Sequence, residues 1–209
     1  MLTLKDLMTM KNTFAILLLL LFSTAAQSQD FNKSMKEAQT AYASGDLSNS
    51  RFAMEQMLRN LDVEIGKEIL KLLPTKMEDR TANVKDDNVT GSGGGMGMGL
   101  YVHRTYGTEA KMATLDIINN SPLINSLQAL LALPFVANAG DGSQKVVKVQ
   151  GYKAVLNKIE GGEGSKPGYE LQVPLQNTLL TLRADDTQED NILKMVNSLP
   201  LEKIAQMAR

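Results

Sequence analysis

A chain of 209 residues with 22 Lys and Arg against 23 Asp and Glu has a formal net charge of −1, so no basic field exists to hold nucleic acid. The absence of cysteine excludes disulfides, a thiolate nucleophile, a thiolate metal site and the lipidated cysteine that anchors bacterial lipoproteins. What is left suits one domain with an appendage, large enough to bury a core.

Residues 1–28 read as a Sec-type signal peptide. Lys11 and Asn12 precede an apolar run from Phe14 to Phe22, too short to span a bilayer, which gives way to Ser23, Thr24, Ala25 and Ala26. Cleavage after Ala26 or after Ser28 satisfies the preference for small residues, and the second is preferred; Met10, followed at once by Lys11, is a more natural start than Met1. The expected location is secreted or periplasmic. A cysteine-free exported domain points to a bacterial envelope, since eukaryotic secreted domains of this size more often carry disulfides. No later stretch is long enough to span a membrane, and no lipid anchor is expected.

Residues 29–74 read as a helical hairpin. Phe31, Met35, Ala38 and Tyr42 recur at helical spacing, Ser44, Gly45 and Asp46 interrupt, and Phe52, Met54, Met57, Leu58, Leu61, Ile65, Ile69, Leu70 and Leu73 trace a longer helix ending at Pro74. The string AYASGDLSNSRFAMEQML resembles the turn of a tetratricopeptide unit. A single copy needs something else to cover its apolar face, the main domain or a partner. Residues 75–99, charged and then GSGGGMGMG, read as a linker.

From residue 100 to 209 the pattern predicts an α+β domain, an antiparallel sheet packed with helices. Leu100 to Tyr106 and Lys111 to Ile118 form a hairpin about Gly107, Thr108 and Glu109. A helix follows Asn120-Ser121-Pro122 and ends near Pro134, with Leu123, Ile124, Leu127, Leu130 and Leu131 on one stripe. Strands are predicted over Lys145 to Gln150, Tyr152 to Ile159, Tyr169 to Val173 and Thr178 to Arg183. Asp185-Asp186-Thr187 is expected to cap a helix carrying Ile192, Leu193, Met195 and Val196, and Pro200 starts a last turn.

The hairpin ending EIGKEILKLLPTKM, the glycine tract running into GLYVHRTYG, the NNSPLINSLQALLALP segment and the tail from VKVQGYKA to LQVPLQNTLLTL resemble a family of small, uncharacterised secreted proteins of Bacteroidota. At fold level the second half is similar to PsbP-like domains, which implies an antiparallel sheet between helices. Neither resemblance implies an activity for any residue here.

The chemistry-bearing candidates are few. His103 is the single histidine; it shares a strand face with Tyr101 and Thr105, has no acid near it in sequence, and reads as an ordinary strand residue. Met96 and Met98 with His103 compose a soft Cu(I)-type ligand set, yet methionine is also an ordinary core filler, so no metal is assigned. Asp86, Asn88, Thr90 and Gly91 imitate the first half of a calcium loop, but Gly97 stands where the bidentate acid belongs. The tract Gly91 to Gly99 lacks the frame of a phosphate cradle. Asp185, Asp186, Glu189 and Asp190 cluster as helix-start charges, and no serine elbow is present.

The sequence therefore predicts no catalytic residue and no cofactor. It leans away from an enzyme, towards an exported protein that binds a partner protein or envelope component through Phe52, Met57, Leu61 and Ile65. Two alternatives are a small apolar-ligand or lipid carrier, with Leu123 to Leu131 and Phe135 roofing a cavity, and an envelope hydrolase using carboxylates.

Overall fold

The computed structural model describes residues 25–92, 99–133, 143–161 and 167–208, with side chains from residue 31 onward. The predicted signal peptide falls almost wholly outside the described residues. The chain divides into two units, Met1–Asn60 and Leu61–Arg209.

In the first unit, helix α1 (Ala25–Ala43) turns at Gly45, whose φ of 79° is open to glycine, into helix α2 (Leu47–Leu72), which runs on into the second unit. Asp46 caps α2 by accepting the Asn49 N–H at 3.1 Å, and that bond holds its carboxyl below the usual range. Ser34, Ala38, Ser50 and Ala53 are buried, and Ser50 Oγ donates to the Ala38 carbonyl at 3.1 Å. The seam between the helices is thus made of small side chains, which lets the backbones approach closely.

The second unit is α+β, as the pattern predicts. After α2 come β1 (Lys76–Met77), β2 (Arg80–Thr81), β3 (Asn88–Thr90), β4 (Tyr101–Thr108), β5 (Lys111–Asn119), α3 (Leu123–Ala132), β6 (Gln144–Val149), β7 (Tyr152–Ile159), β8 (Gly168–Leu175), β9 (Thr178–Ala184), α4 (Glu189–Asn197) and α5 (Leu201–Met207). A seven-stranded antiparallel sheet has the order β3-β4-β5-β9-β8-β7-β6. Short turns build most of it. Gln150 and Gly151 join β6 to β7 with φ of 48° and 89°, the left-handed pair that lets two residues reverse a twisted ribbon.

One sheet face presents Val102, Tyr106, Leu115, Ile117, Leu171, Val173, Leu180 and Leu182 to Ile69 and Leu73 of α2 and to Ile192, Met195, Val196 and Ile204 of α4 and α5. On the other face α3 sets Ile124, Leu127 and Leu131 against Val155 and Leu179. Strands β7 and β9 each bury three consecutive residues because helices cover both of their faces. The C-terminal end is tied down at the Ala208 carbonyl, which accepts from Thr178 Oγ1 at 2.7 Å and from the Asn119 amide.

The expectation of a linker over residues 75–99 is overturned for 75–92. Met77 lies in the core, and Arg80 is buried, with Nη2 donating to the Asp185 and Asp186 carbonyls at 2.8 and 3.2 Å and Nε to the Lys111 carbonyl at 3.2 Å. Arg104, on the core face of β4, is held bidentately by Asp87 at 2.7 and 2.5 Å and donates to the Leu70 carbonyl at 3.1 Å. Two of its charges, Arg80 and Asp87, are paired within the fold, while Lys76, Glu78, Lys85 and Asp86 stay exposed. Two smaller corrections follow. The β4–β5 turn is Glu109-Ala110, two residues beyond the expected Gly107, because Thr108 pairs with Lys111. Helix α4 starts at Gln188 without a side-chain cap, so the expected capping by Asp185 to Thr187 does not form.

Helix α2 crosses the sheet edge at Gly66, where a Cβ would come within 2.3 Å of Val89 Cγ1 and 2.9 Å of Leu100 Cδ1. Gly66→Val should lower stability by about 3 kcal/mol in urea denaturation; a loss under about 0.5 kcal/mol would show that the contact does not hold. Tyr106 is fully buried beside Arg104, its hydroxyl without a hydrogen-bond partner among the described residues, and burial pushes its phenol up to about 12 against the pull of the guanidinium. The folded state therefore favours the neutral phenol. That contribution is complete below pH 10 and is lost as pH rises from 10 through 12, amounting to about 2 to 3 kcal/mol. In Tyr106→Phe the fall of the denaturation midpoint across this window should shrink, with stability at pH 7 equal to or above the parent.

Candidate functional site

The helical hairpin carries the most exposed apolar surface. Tyr42 is 66% exposed, Leu47 65%, Leu58 58% and Met54 49%, and Met35 is also exposed. With about 100° between successive helix residues, Leu47, Met54 and Leu58 fall within about 20° of one line along α2, at right angles to the Ser50 and Ala53 seam. The same geometry, with the chain reversed at Gly45, turns Met35 and Tyr42 of α1 to that side. The opposite side of the hairpin is polar, a cleft of about 490 Å³ lined by Lys33, Lys36, Glu37, Thr40, Asp46 and Asn49 among others. The fully buried side chains of the hairpin are small, Phe31 and Met57 are half-buried, and the other large apolar side chains are exposed.

Of the four residues predicted to bind a partner, none lies cleanly on this face within the first unit. Phe52 is exposed but sits about 140° around α2 from Leu47, on the polar side. Met57 is half-buried and turned towards the seam side. Leu61 is exposed, and Ile65 is half-buried and packs against the core of the second unit. Met54 and Leu58 stand in the row that helical spacing predicts and Leu47 does not; choosing among the apolar residues requires knowing that alanine and serine form the seam.

A second arrangement lies on the α3 side of the sheet. The β4–β5 register sets His103 opposite Asp116, and Asp116 Oδ1 accepts from Tyr101 OH at 2.8 Å and lies 2.7 Å from His103 Nδ1. Tyr101 OH is also 3.2 Å from Nδ1. All three side chains are half-exposed. Burial, and then the hydrogen bond and charge of Asp116, push the Tyr101 phenol well above its usual value. A carboxylate at Nδ1 orients the imidazole and leaves Nε2 as the nitrogen through which a proton could move. The same register continues through Thr181 on β9 to Gln172 on β8, making a polar row across the sheet. His103 therefore has the acidic partner that sequence proximity does not reveal. Locating it needed the turn at Glu109-Ala110, since a one-residue change of register turns Asp116 away.

The remaining candidates do not converge. Met96 and Met98 lie outside the described residues, as do most of the glycine tract, Phe135, and the turn carrying Gly164. Asn88 and Thr90 are extended in edge strand β3, whose pairing with β4 is incompatible with a calcium loop there. Asp185 pairs weakly with Arg183 at 3.5 Å, and Glu189 with Lys145. A cleft of about 430 Å³ opens among Lys111, Pro167, Asp186, Thr187, Gln188 and Asn191. Where α3 was expected to roof a cavity, Ile124, Leu127 and Leu131 are in direct contact with Val155 and Leu179. Among the described residues, no group of three or more acids and histidines is placed to hold a metal ion, and no helix is long and apolar enough to cross a membrane.

Compared with protein-family models, curated proteins and solved structures, the chain matches none. Its own geometry is testable at the tyrosine. Asp116→Asn removes the charge that opposes phenolate formation, so Tyr101 should ionise at lower pH in an ultraviolet tyrosinate titration, with Tyr101→Phe identifying the transition. An unchanged titration would separate Asp116 from the tyrosine.

Proposed function

We propose that this is an exported, non-enzymatic protein that captures a protein surface on the apolar side of its N-terminal hairpin. One observation carries the reading: the hairpin buries serine and alanine between its helices and leaves Tyr42, Leu47, Met54 and Leu58 in solvent. Burying a leucine contributes about 1.5 to 3 kcal/mol, so four such side chains facing outward forgo several kcal/mol unless something covers them. Contiguous exposed apolar surface rimmed by polar residues marks an interaction site. Here Glu55 borders the row, and Arg51, which lies within it, is paired to Glu55 at 3.0 Å.

Deleting the hairpin through Leu73 is a poor test, because Ile69 and Leu73 belong to the core of the second unit. A photo-cross-linking amino acid placed singly at Leu58 or at Phe52 in the living cell separates the two sides. Leu58 should give a discrete polypeptide adduct and Phe52 should not. Equal labelling from both positions, or none from Leu58, would overturn the reading.

A further inference from the structure

Resting on that reading, we infer that the occupant of the hairpin face is a second copy of this chain: two hairpins packing face to face about a two-fold axis as a four-helix bundle.

Three observations lead there. The first is what the hairpin lacks. Its seam contains Ser34, Ala38, Ser50 and Ala53, side chains that contribute little apolar burial, so the layer of large residues a helix bundle needs at its centre is present but on the outside. A second hairpin of the same kind supplies the facing half of that layer.

The second is area. Met35, Tyr42, Leu47, Met54 and Leu58 are between 37% and 66% exposed, on the order of 500 Å² together, comparable to the apolar share of one side of a standard interface, about 57% of about 800 Å².

The third is the pattern and its charges. Leu47, Arg51, Met54 and Leu58 are spaced by four, three and four residues, the spacing of a knobs-into-holes seam. A two-fold axis requires one patch to match itself. An antiparallel crossing that sets Leu47 against Leu58 sets Arg51 against Met54, and places each Arg51 beside Glu55 of the second copy. Within one chain Arg51 Nε already donates to Glu55 Oε1 at 3.0 Å, so the single polar position in the row enters the interface with its charge compensated. The crossing turns that pair into a four-membered network of alternating sign, and it disfavours the parallel arrangement, which stacks Arg51 on Arg51.

The test uses protein expressed from the full coding sequence and purified as the cell processes it. Sedimentation equilibrium at tens of micromolar should give twice the chain mass. Leu58→Glu on α2 and Tyr42→Glu on α1 should each raise the dimer dissociation constant at least 30-fold with unchanged far-ultraviolet circular dichroism, whereas Phe52→Glu should leave it within about 3-fold. A monomer throughout the concentration range, or a dimer indifferent to both Leu58→Glu and Tyr42→Glu, overturns the inference. The cross-linking from Leu58 tells the two failures apart. An adduct with a different polypeptide removes the self-dimer and leaves partner capture standing, while a monomer with no adduct at all removes both.

Discussion

The second unit depends on a buried guanidinium. Arg104 projects from the core face of β4, between positions held by Val102 and Tyr106, where an unpaired charge would be intolerable. It is kept there by Asp87, bidentate, and by the Leu70 carbonyl near the end of α2. Asp87 in turn raises the guanidinium's already high affinity for its proton. Such a pair adds little net stability over a well-packed apolar substitute, but losing one partner typically costs about 3 to 5 kcal/mol. Its consequence is positional: one side chain joins α2, the approach to β3, and the sheet. Arg80, earlier in the same segment, does the same, drawing the carbonyls of Lys111, Asp185 and Asp186 together. The two arginines convert a charged segment into a structural strap, with the buried Tyr106 beside Arg104.

That strap is also the part of the fold least visible in the sequence. The paired strands are legible because alternation in Val102 to Tyr106 and Ala113 to Ile117 acts locally, although Gln150, predicted to end a strand, lies in the turn with Gly151. Helix α3 announced itself through Ser121-Pro122 and a leucine stripe, and α4 through Ile192, Met195 and Val196. Residues 75–92 have no such local signal. Their strands are two or three residues long, and the carbonyl partners of Arg80 and the guanidinium partner of Asp87 lie 17 to 106 positions away in the chain. Composition treats Lys, Asp and Arg as solvent-seeking, which holds until geometry supplies buried partners for them.

The same limit explains the Tyr101, His103 and Asp116 cluster. Alternation correctly put Tyr101 and His103 on one face, since residues two apart always share it. Asp116 is thirteen positions from His103, and its place opposite depends on which two residues make the turn. Gly107 attracted the turn in sequence but lies in β4, with φ of 87° and the Lys111 carbonyl 2.4 Å from where its Cβ would be, so glycine serves a close approach and not the reversal itself. A chemical constellation on a sheet is therefore hidden whenever register is uncertain by one residue.

The hairpin presents the opposite situation, in which the sequence pattern is plain and its meaning is not. An apolar row at helical spacing is normally read as the face that turns inward. Here the inward face is the one with alanine and serine, because small side chains let two helices approach closely and the Ser50 hydroxyl can still reach the Ala38 carbonyl. Close approach then leaves no room between the helices for Leu47, Met54 or Leu58, and they are expelled to the flank. Seam and face are thus one decision: enlarging the seam residues would push the helices apart and redistribute the exposed row, so the apolar side persists only while the seam stays small. A surface maintained in this way is a built feature of the hairpin, independent of the polar row that crosses the sheet of the second unit.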